Sequence, residues 1–387
     1  MRLKALRELA ALFLRLGTLS FGGPAAHIAL MEEEVVKRRG WLTHEYFLDL
    51  LGATNLIPGP NSSEMAIHIG YLRAGWMGLL VAGVCFISPA VLITLLFAWF
   101  YVQFGAIPQV GQFIWGIRAG VIAVILAAIF RLARPLIKIR FVLLIGVAVC
   151  VLNLLHVDEV FLLIASGTIG LLWANRSRFT GRSLSMFIIV LLPATIGTAV
   201  VAGAKNLSPA PTVTSLGLFF LKIGSILYGS GYVLVAFLQG GLVDARHWLT
   251  QAQLLDAIAV GQFTPGPVLS TATFIGYLIL GVPGAAIATV GIFLPSFIFV
   301  LLTSRFVPRL RKSPSSAGFL DGVNAASLGL MLSVCITLGV ATLQGIGSWI
   351  IFLAAGAVVV RLNVHAGWVI AGAAVAGWIL SLVGIIS

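Results

Sequence analysis

Hydrophobic residues run in long, almost uncharged stretches at about 5–20, 44–57, 61–72, 74–100, 112–130, 140–155, 159–174 and 186–203, separated by short polar or basic intervals. Stretches of this kind read as helices for a lipid core, which about 20 apolar residues span. Two of them are too short to cross alone. Segments 44–57 and 61–72 are split by Asn55-Leu56-Ile57-Pro58-Gly59-Pro60-Asn61-Ser62-Ser63. Each proline removes a backbone donor, clashes with the turn before it and pushes its predecessor out of the helical region. Pro60 suits the first position of a new helix. The pattern therefore predicts a helix, a break and a second half-helix inside one apolar region, the device that builds binding sites in membrane transporters. Phe21-Gly22-Gly23-Pro24 interrupts the first stretch in the same way. The chain then passes through Ala25–Leu30 into the charged Met31–Arg39, an expected interfacial helix with a solvated face, with Trp41 at the lipid–water boundary.

After residue 203 the pattern begins again. Gly17, Arg39, Trp41, Asp49 and Pro58-Gly59-Pro60 recur as Gly224, Arg246, Trp248, Asp256 and Pro265-Gly266-Pro267, at a constant offset of 207 (224 − 17; 265 − 58). One residue drops out after the break, and Gly70, Gly75, Pro89 and Gly116 meet Gly276, Gly281, Pro295 and Gly322 at 206. A tryptophan, two charges and a proline–glycine–proline in one register mark a duplication. Loop charges orient the copies. In the first, Tyr101–Gly111 is neutral and the next loop carries Arg131, Arg134, Lys138 and Arg140. In the second, Arg305, Arg309, Arg311 and Lys312 come first and Gln344–Ser348 is neutral. Short basic loops stay cytoplasmic, so equivalent helices are expected to run in opposite directions, and the segment at 186–203 supplies the odd crossing.

The expected fold is all-α: a polytopic membrane protein of two inverted-topology repeats, 1–175 and 212–387, with broken or re-entrant helices. A basic linker and one extra transmembrane helix (176–211) join them. The N-terminus is expected in the cytoplasm and the C-terminus outside.

Composition agrees. Of 387 residues 60% are hydrophobic and 9% charged, against roughly 25% charged in soluble domains. The net charge of +12 comes in short clusters between apolar segments, which excludes nucleic acid as the expected partner and leaves membrane lipid. Met1–Arg15 is charged throughout, so no cleavable signal peptide is expected. Cys85, Cys150 and Cys335 are isolated in apolar segments and read as packing residues. No nucleophile–base pair, lysine-bearing phosphate loop, flavin motif or metal-ligand cluster appears, so neither cofactor nor metal is expected, and the chain reads as no enzyme.

Ser20-Phe21-Gly22-Gly23-Pro24-Ala25-Ala26-His27, the Met31–Arg39 charge run with Trp41, and Asn55–Ser63 followed by Gly70-Tyr71 and Arg73-Ala74-Gly75 resemble the chromate ion transporter family. Gly229-Ser230-Gly231-Tyr232 through Pro265-Gly266-Pro267 resembles the C-terminal half of its long, two-domain members. The resemblance implies a multi-pass protein of the bacterial inner membrane that exports chromate and confers chromate resistance. Sulfate and related oxyanions share chromate's shape and charge and stay open as substrates. A homodimer is a further candidate assembly. A membrane-embedded enzyme acting on lipid phosphates would need a His or Ser nucleophile with flanking Arg at one interface, which is not found. A scaffold would have no use for paired broken helices.

A tetrahedral dianion needs donors and positive charge, and helix N-termini supply both. The candidate binding residues are Gly22, Gly23, Gly59, Asn61, Ser62 and Ser63 in the first copy, and Gly229, Gly231, Gly266, Ser270 and Thr271 in the second. Arg15 and Lys222, repeat equivalents within apolar helices (222 − 15 = 207), are candidate anion contacts as well, with snorkelling to a near interface as the alternative. Arg118 is a further candidate. Asp49 and Asp256 are read as ion-pair partners of Arg39 and Arg246 or as proton carriers. Glu64 fits the dipole of the helix after Pro60. His27 and His68 either titrate near neutral pH or pack through hydrogen bonds.

Overall fold

The computed structural model describes residues 2–20, 23–54, 57–105, 107–134, 140–175, 210–228, 231–304, 314–362 and 364–383. The expected connecting helix at 186–203, Gly22, Gly229 and the charges at Arg305, Arg309, Arg311 and Lys312 lie outside the described residues.

The first interruption falls where the prolines and glycines place it. α1 (Arg2–Leu19) stops, and α2 (Gly23–Glu32) starts on Gly23 at φ +72° and continues as a π-helix over Glu33–Arg38. α3 (His44–Thr54) runs into the second break and α4 (Asn61–Phe104) leaves it. As one rod, the 44 residues of α4 would measure about 66 Å, roughly twice a bilayer core. Instead α4 is two helices folded back at Ala74-Gly75, where Gly75 takes φ +68° and ψ −151°. Gly70 and Gly78 meet across the fold so closely that a Cβ on either would strike the other's carbonyl oxygen.

Both broken pairs come back to where they started. Arg73, at the fold of α4, binds Glu8 of α1 at 3.1 Å and lies 4.8 Å from the centre of the Trp41 ring between α2 and α3. α1 with α2, and α3 with the first half of α4, are thus hairpins that enter and leave at one face. The expected mixed-charge surface forms beside them: Glu33 pairs with Lys37, and Glu34 gathers Arg15, Arg38 and Arg39.

Three helices complete the first copy: α5 (Pro108–Ala133), α6 (Arg140–Leu154) and α7 (Glu159–Ala174). The second copy repeats the plan. α8 (Val213–Ile226) is followed by a short turn, Gly231–Val233, and α9 (Leu234–Leu238), then a π-helix over Gln239–Asp244. α10 (Gln251–Phe263) enters the second break, and α11 (Thr271–Thr303) leaves it after one 3-10 turn. α11 reverses at Leu280-Gly281 with Gly281 at φ +62° and ψ −148°, the conformation of Gly75. α12 (Pro314–Thr342), α13 (Ile346–Leu362) and α14 (Ala366–Leu382) end the chain.

The copies are interlocked by exchange. α5 packs against α13 and α14 of the other copy, while its equivalent α12 packs against α6 and α7. Small residues permit the approach in both crossings: a Cβ on Gly116 would strike the Ala373 carbonyl, and one on Gly322 the Ser166 carbonyl, with 373 − 166 = 207. Close glycine-mediated contact is how helices associate where lipid removes the hydrophobic drive. The chain is an all-α, multi-pass membrane protein of two repeats. Its buried apolar residues form one large group on α1–α4 and a second that joins α8–α11 to the exchanged helices.

Candidate oxyanion site

Each break is tied to the opposite copy. The Gly59 N–H donates to the Leu227 carbonyl at the end of α8 at 2.6 Å, and the Gly266 N–H donates to the Ser20 carbonyl at the end of α1 at 3.0 Å. Both donors and both acceptors are repeat equivalents (266 − 59 = 207; 227 − 20 = 207). The positive φ values of Gly59 (+144°) and Gly266 (+87°) turn these N–H groups outward from their own chain. Each break therefore makes a junction with the opposite copy.

At the second-copy break the junction encloses a cavity of about 140 Å³, lined by Gly23, Arg131, Gln262, Thr264, Gly266 and His365 among others. That is several times the roughly 30 Å³ share of one water, enough for a tetrahedral oxyanion. Its wall combines the start of α2, the backbone of the Thr264–Val268 break and the end of α5. Arg131 Nη2 donates to the Val359 carbonyl of α13 at 2.8 Å, which fixes the guanidinium. His365 stands at the N-cap position of α14 and interacts electrostatically with His27 of α2. Helix-start dipoles and a guanidinium fork suit a small dianion, while the Thr264 and Gly266 N–H groups of the break are already bonded to the Val260 and Ser20 carbonyls.

The candidates from the sequence divide. Gly23 and Gly266 line the cavity. Ser270 accepts from the Thr94 hydroxyl at 3.1 Å, and Thr271 donates to the Val268 carbonyl at 2.8 Å, so both hydroxyls serve the fold. Gly231 is packed against Leu269 and Val268. At the first-copy break, Ser62, Ser63 and Glu64 are buried, with Asn61 half-buried at their edge. Arg15 is exposed and 3.5 Å from Glu34, while Lys222 is exposed and interacts with Glu159. His27 holds the Ser20 carbonyl at 3.0 Å, the same oxygen that Gly266 binds. His68 is buried one turn beyond Glu64, and Asp49 is half-buried on α3.

Asp256 pairs with Arg118, not with Arg246. Two contacts of 2.8 Å make the pair bidentate, and the Tyr101 hydroxyl adds a third bond at 2.7 Å. Arg246 instead stacks on Phe219 and Trp248. This buried knot ties α10 to α5 and α4 and removes Arg118 from the candidates for anion contact. Asp256→Asn is expected to cost about 2 kcal/mol, the low side of breaking a buried pair because the Arg118 side chain keeps 29% exposure. Thermal unfolding of the purified protein checks this, and adding Arg118→Met to the variant should recover part of the loss.

Arg131, Gln262 and His365 are not legible as site residues from hydropathy, because each falls at the end of an apolar segment. One signal does point to them. Their repeat equivalents are Thr337, Asn55 and Asp158 (337 − 131 = 206; 262 − 55 = 207; 365 − 158 = 207), so two of the three change charge between copies.

A family model described as "Chromate transporter" matches residues 7–171 and again 214–378. The chain is 33% identical to the "Chromate transport protein" of Cupriavidus metallidurans over 378 residues, 96% of this chain and 92% of the relative. It is 31% identical to a "Probable chromate transport protein" of Synechococcus elongatus (91% and 89% covered) and 30% identical to a "Chromate transport protein" of Pseudomonas aeruginosa (96% and 92%). No solved structure matches the chain.

Proposed function

The chain belongs to the chromate transporter family, and from that premise we propose that it exports chromate from the cytoplasm, holding the dianion in the Arg131–Gly266 cavity between the two copies. The family makes the chain a transporter and sets aside the lipid-phosphate enzyme. The observation that carries the site is the cavity itself, where a helix start, an interrupted backbone and an arginine meet at the junction of the repeats.

Charge supports the direction. The cavity opens beside Arg131 at the end of α5, where the sequence is basic (Arg131, Arg134, Lys138 and Arg140), the side that the positive-inside rule assigns to the cytoplasm. The equivalent positions on the opposite side are neutral or acidic, with Asp158 and Glu159 where His365 and Ala366 stand. An anion is captured at the basic mouth and repelled from the acidic one. This reading sets the N-terminus in the cytoplasm, takes the inner membrane as the site of action and treats 1–175 and 212–387 as the transporting halves. A dianion leaving a cell held at about 100 mV, negative inside, gains roughly 4.6 kcal/mol, more than a thousandfold in gradient at about 1.4 kcal/mol per decade.

Proteoliposomes under an imposed potential provide the test. Chromate should move toward the positive side and outcompete sulfate, molybdate and phosphate. Equal or faster sulfate flux would make chromate a passenger on a sulfate carrier, and no potential-driven oxyanion flux would reject the reading.

A further inference from the structure

The first-copy break differs from the second in one chemical respect: it buries a carboxyl. Glu64 is 0% exposed, and neither of its oxygens has a hydrogen-bond partner. An ionised carboxylate left in that state is far too costly to persist, and ionisable residues inside a membrane protein are retained for function. The surroundings are specific. A Cβ on Gly59 would strike both Glu64 Oε1 and Ser296 Oγ, so these two oxygens flank the same bare Cα. Ser296 lies on α11 of the other copy, is 0% exposed and also lacks a partner, as does Ser63 Oγ beside Glu64.

The charged and titratable groups around Glu64 can be named by element. His68 follows one turn along α4, buried, with Nε2 unbonded. Tyr228, after α8, interacts electrostatically with Glu64. On α1, Arg15 is drawn to Glu34; on α2, His27 is bonded to the Ser20 carbonyl; on α3, Asp49 has an interaction of its own. α11 carries Tyr277. Among the described residues no cation forms an ion pair with Glu64.

Its repeat equivalent is Ser270 (270 − 64 = 206), whose hydroxyl is bonded to Thr94; Ser296 corresponds to Ala90 and His68 to Phe274. The second copy thus has a satisfied hydroxyl pair where the first has an unsatisfied carboxyl. The position is also a seam. Met65, Ala66 and Ile69 belong to the apolar group of α1–α4, while Ile292 and Phe293, just before Ser296, belong to the other. A neutral carboxyl fits the closed seam; an ionised one requires water to enter it.

We propose that Glu64, facing Ser296 across the seam between the copies, is the binding site for a proton that travels with the oxyanion, so that the exported pair carries one net negative charge and about half the potential-driven force of a bare dianion. The dianion arriving at the neighbouring break adds negative charge to the junction and so raises the cost of ionising Glu64. By linkage the two ligands favour each other's binding. This rests on the anion cavity proposed above, and it assigns the two breaks different work: anion at Gly266, proton at Gly59.

Two measurements on the full-length purified protein test it. In weakly buffered solution alkaline enough for water to enter the seam and Glu64 to ionise, where free chromate is also a dianion, chromate added to the wild type should close the seam and remove protons from the medium, read by a pH dye. Binding without proton uptake overturns the proposal, whatever any variant does. Chromate affinity should also fall with rising pH, by up to about tenfold per unit if one proton is fully linked. Glu64→Gln imitates the protonated carboxyl and should bind chromate with less than about a twofold change across the same range. An unchanged pH slope in Glu64→Gln overturns the assignment. Unchanged chromate binding in Arg131→Gln, with the proton uptake of the wild type intact, overturns only the anion site, so the two readings fail separately.

Discussion

Arg131→Gln is expected to lower chromate flux about thirtyfold while the protein still reaches the membrane. Two unit charges about 4 Å apart interact by about 1 kcal/mol in water and about 4 kcal/mol at a protein surface with an effective dielectric near 20. A dianion doubles these values. Arg131 is exposed at the cavity mouth, so solvent screening favours the low end, about 2 kcal/mol, or roughly thirtyfold. The bond from Arg131 to the Val359 carbonyl is one part-buried contact in the last turn of α13, and its loss should leave the fold intact. Arg131→Lys keeps the charge without the planar fork and should fall between the two. Flux in inverted vesicles, normalised to membrane yield, checks the series. Wild-type flux in Arg131→Gln would move the anion site away from this cavity.

Gly78→Leu should abolish the folded protein. A side chain at this position meets the Gly70 carbonyl and the Ala74 Cβ, both fixed by the fold of α4. Overpacking against side chains typically costs 1–3 kcal/mol, about the scale at which a core begins to repack. Here the obstacle is backbone, so the hairpin must open instead. That would displace Glu64 and the Gly59 break together, since the first half of α4 carries the one and follows the other. Gly284→Leu, the same change in the second copy, should behave alike, because the Gly276–Gly284 contact repeats the geometry. Gly111→Leu, where nothing lies within 4 Å, is the control. Membrane yield and thermal unfolding read the outcome.

The breaks themselves were legible because proline and glycine act locally: Pro58-Gly59-Pro60 and Pro265-Gly266-Pro267 end helices whatever surrounds them. The duplication was legible because Trp41, Asp49 and their equivalents keep one register. Hydropathy set a boundary at Arg73, between the stretches 61–72 and 74–100, but could not show that the chain folds back there or at Gly281; only the φ values of Gly75 and Gly281 reveal the turn. Nor could it show partnership. Arg118 and Asp256 are 138 positions apart, and the geometry that joins them is the exchange of α5 between copies. Arg131 looked like an ordinary loop cation for the same reason: its neighbours at the cavity, Gly266 and His365, come from the other repeat.

The position of bound chromium tests the central claim most directly. Anomalous diffraction from crystals grown with chromate should show a chromium peak inside the cavity bounded by Gly23, Arg131, Gly266 and His365, with oxygens in hydrogen-bond reach of the Arg131 guanidinium. A chromium peak at Gly59 and Asn61, or one outside the junction of the two copies, would contradict it.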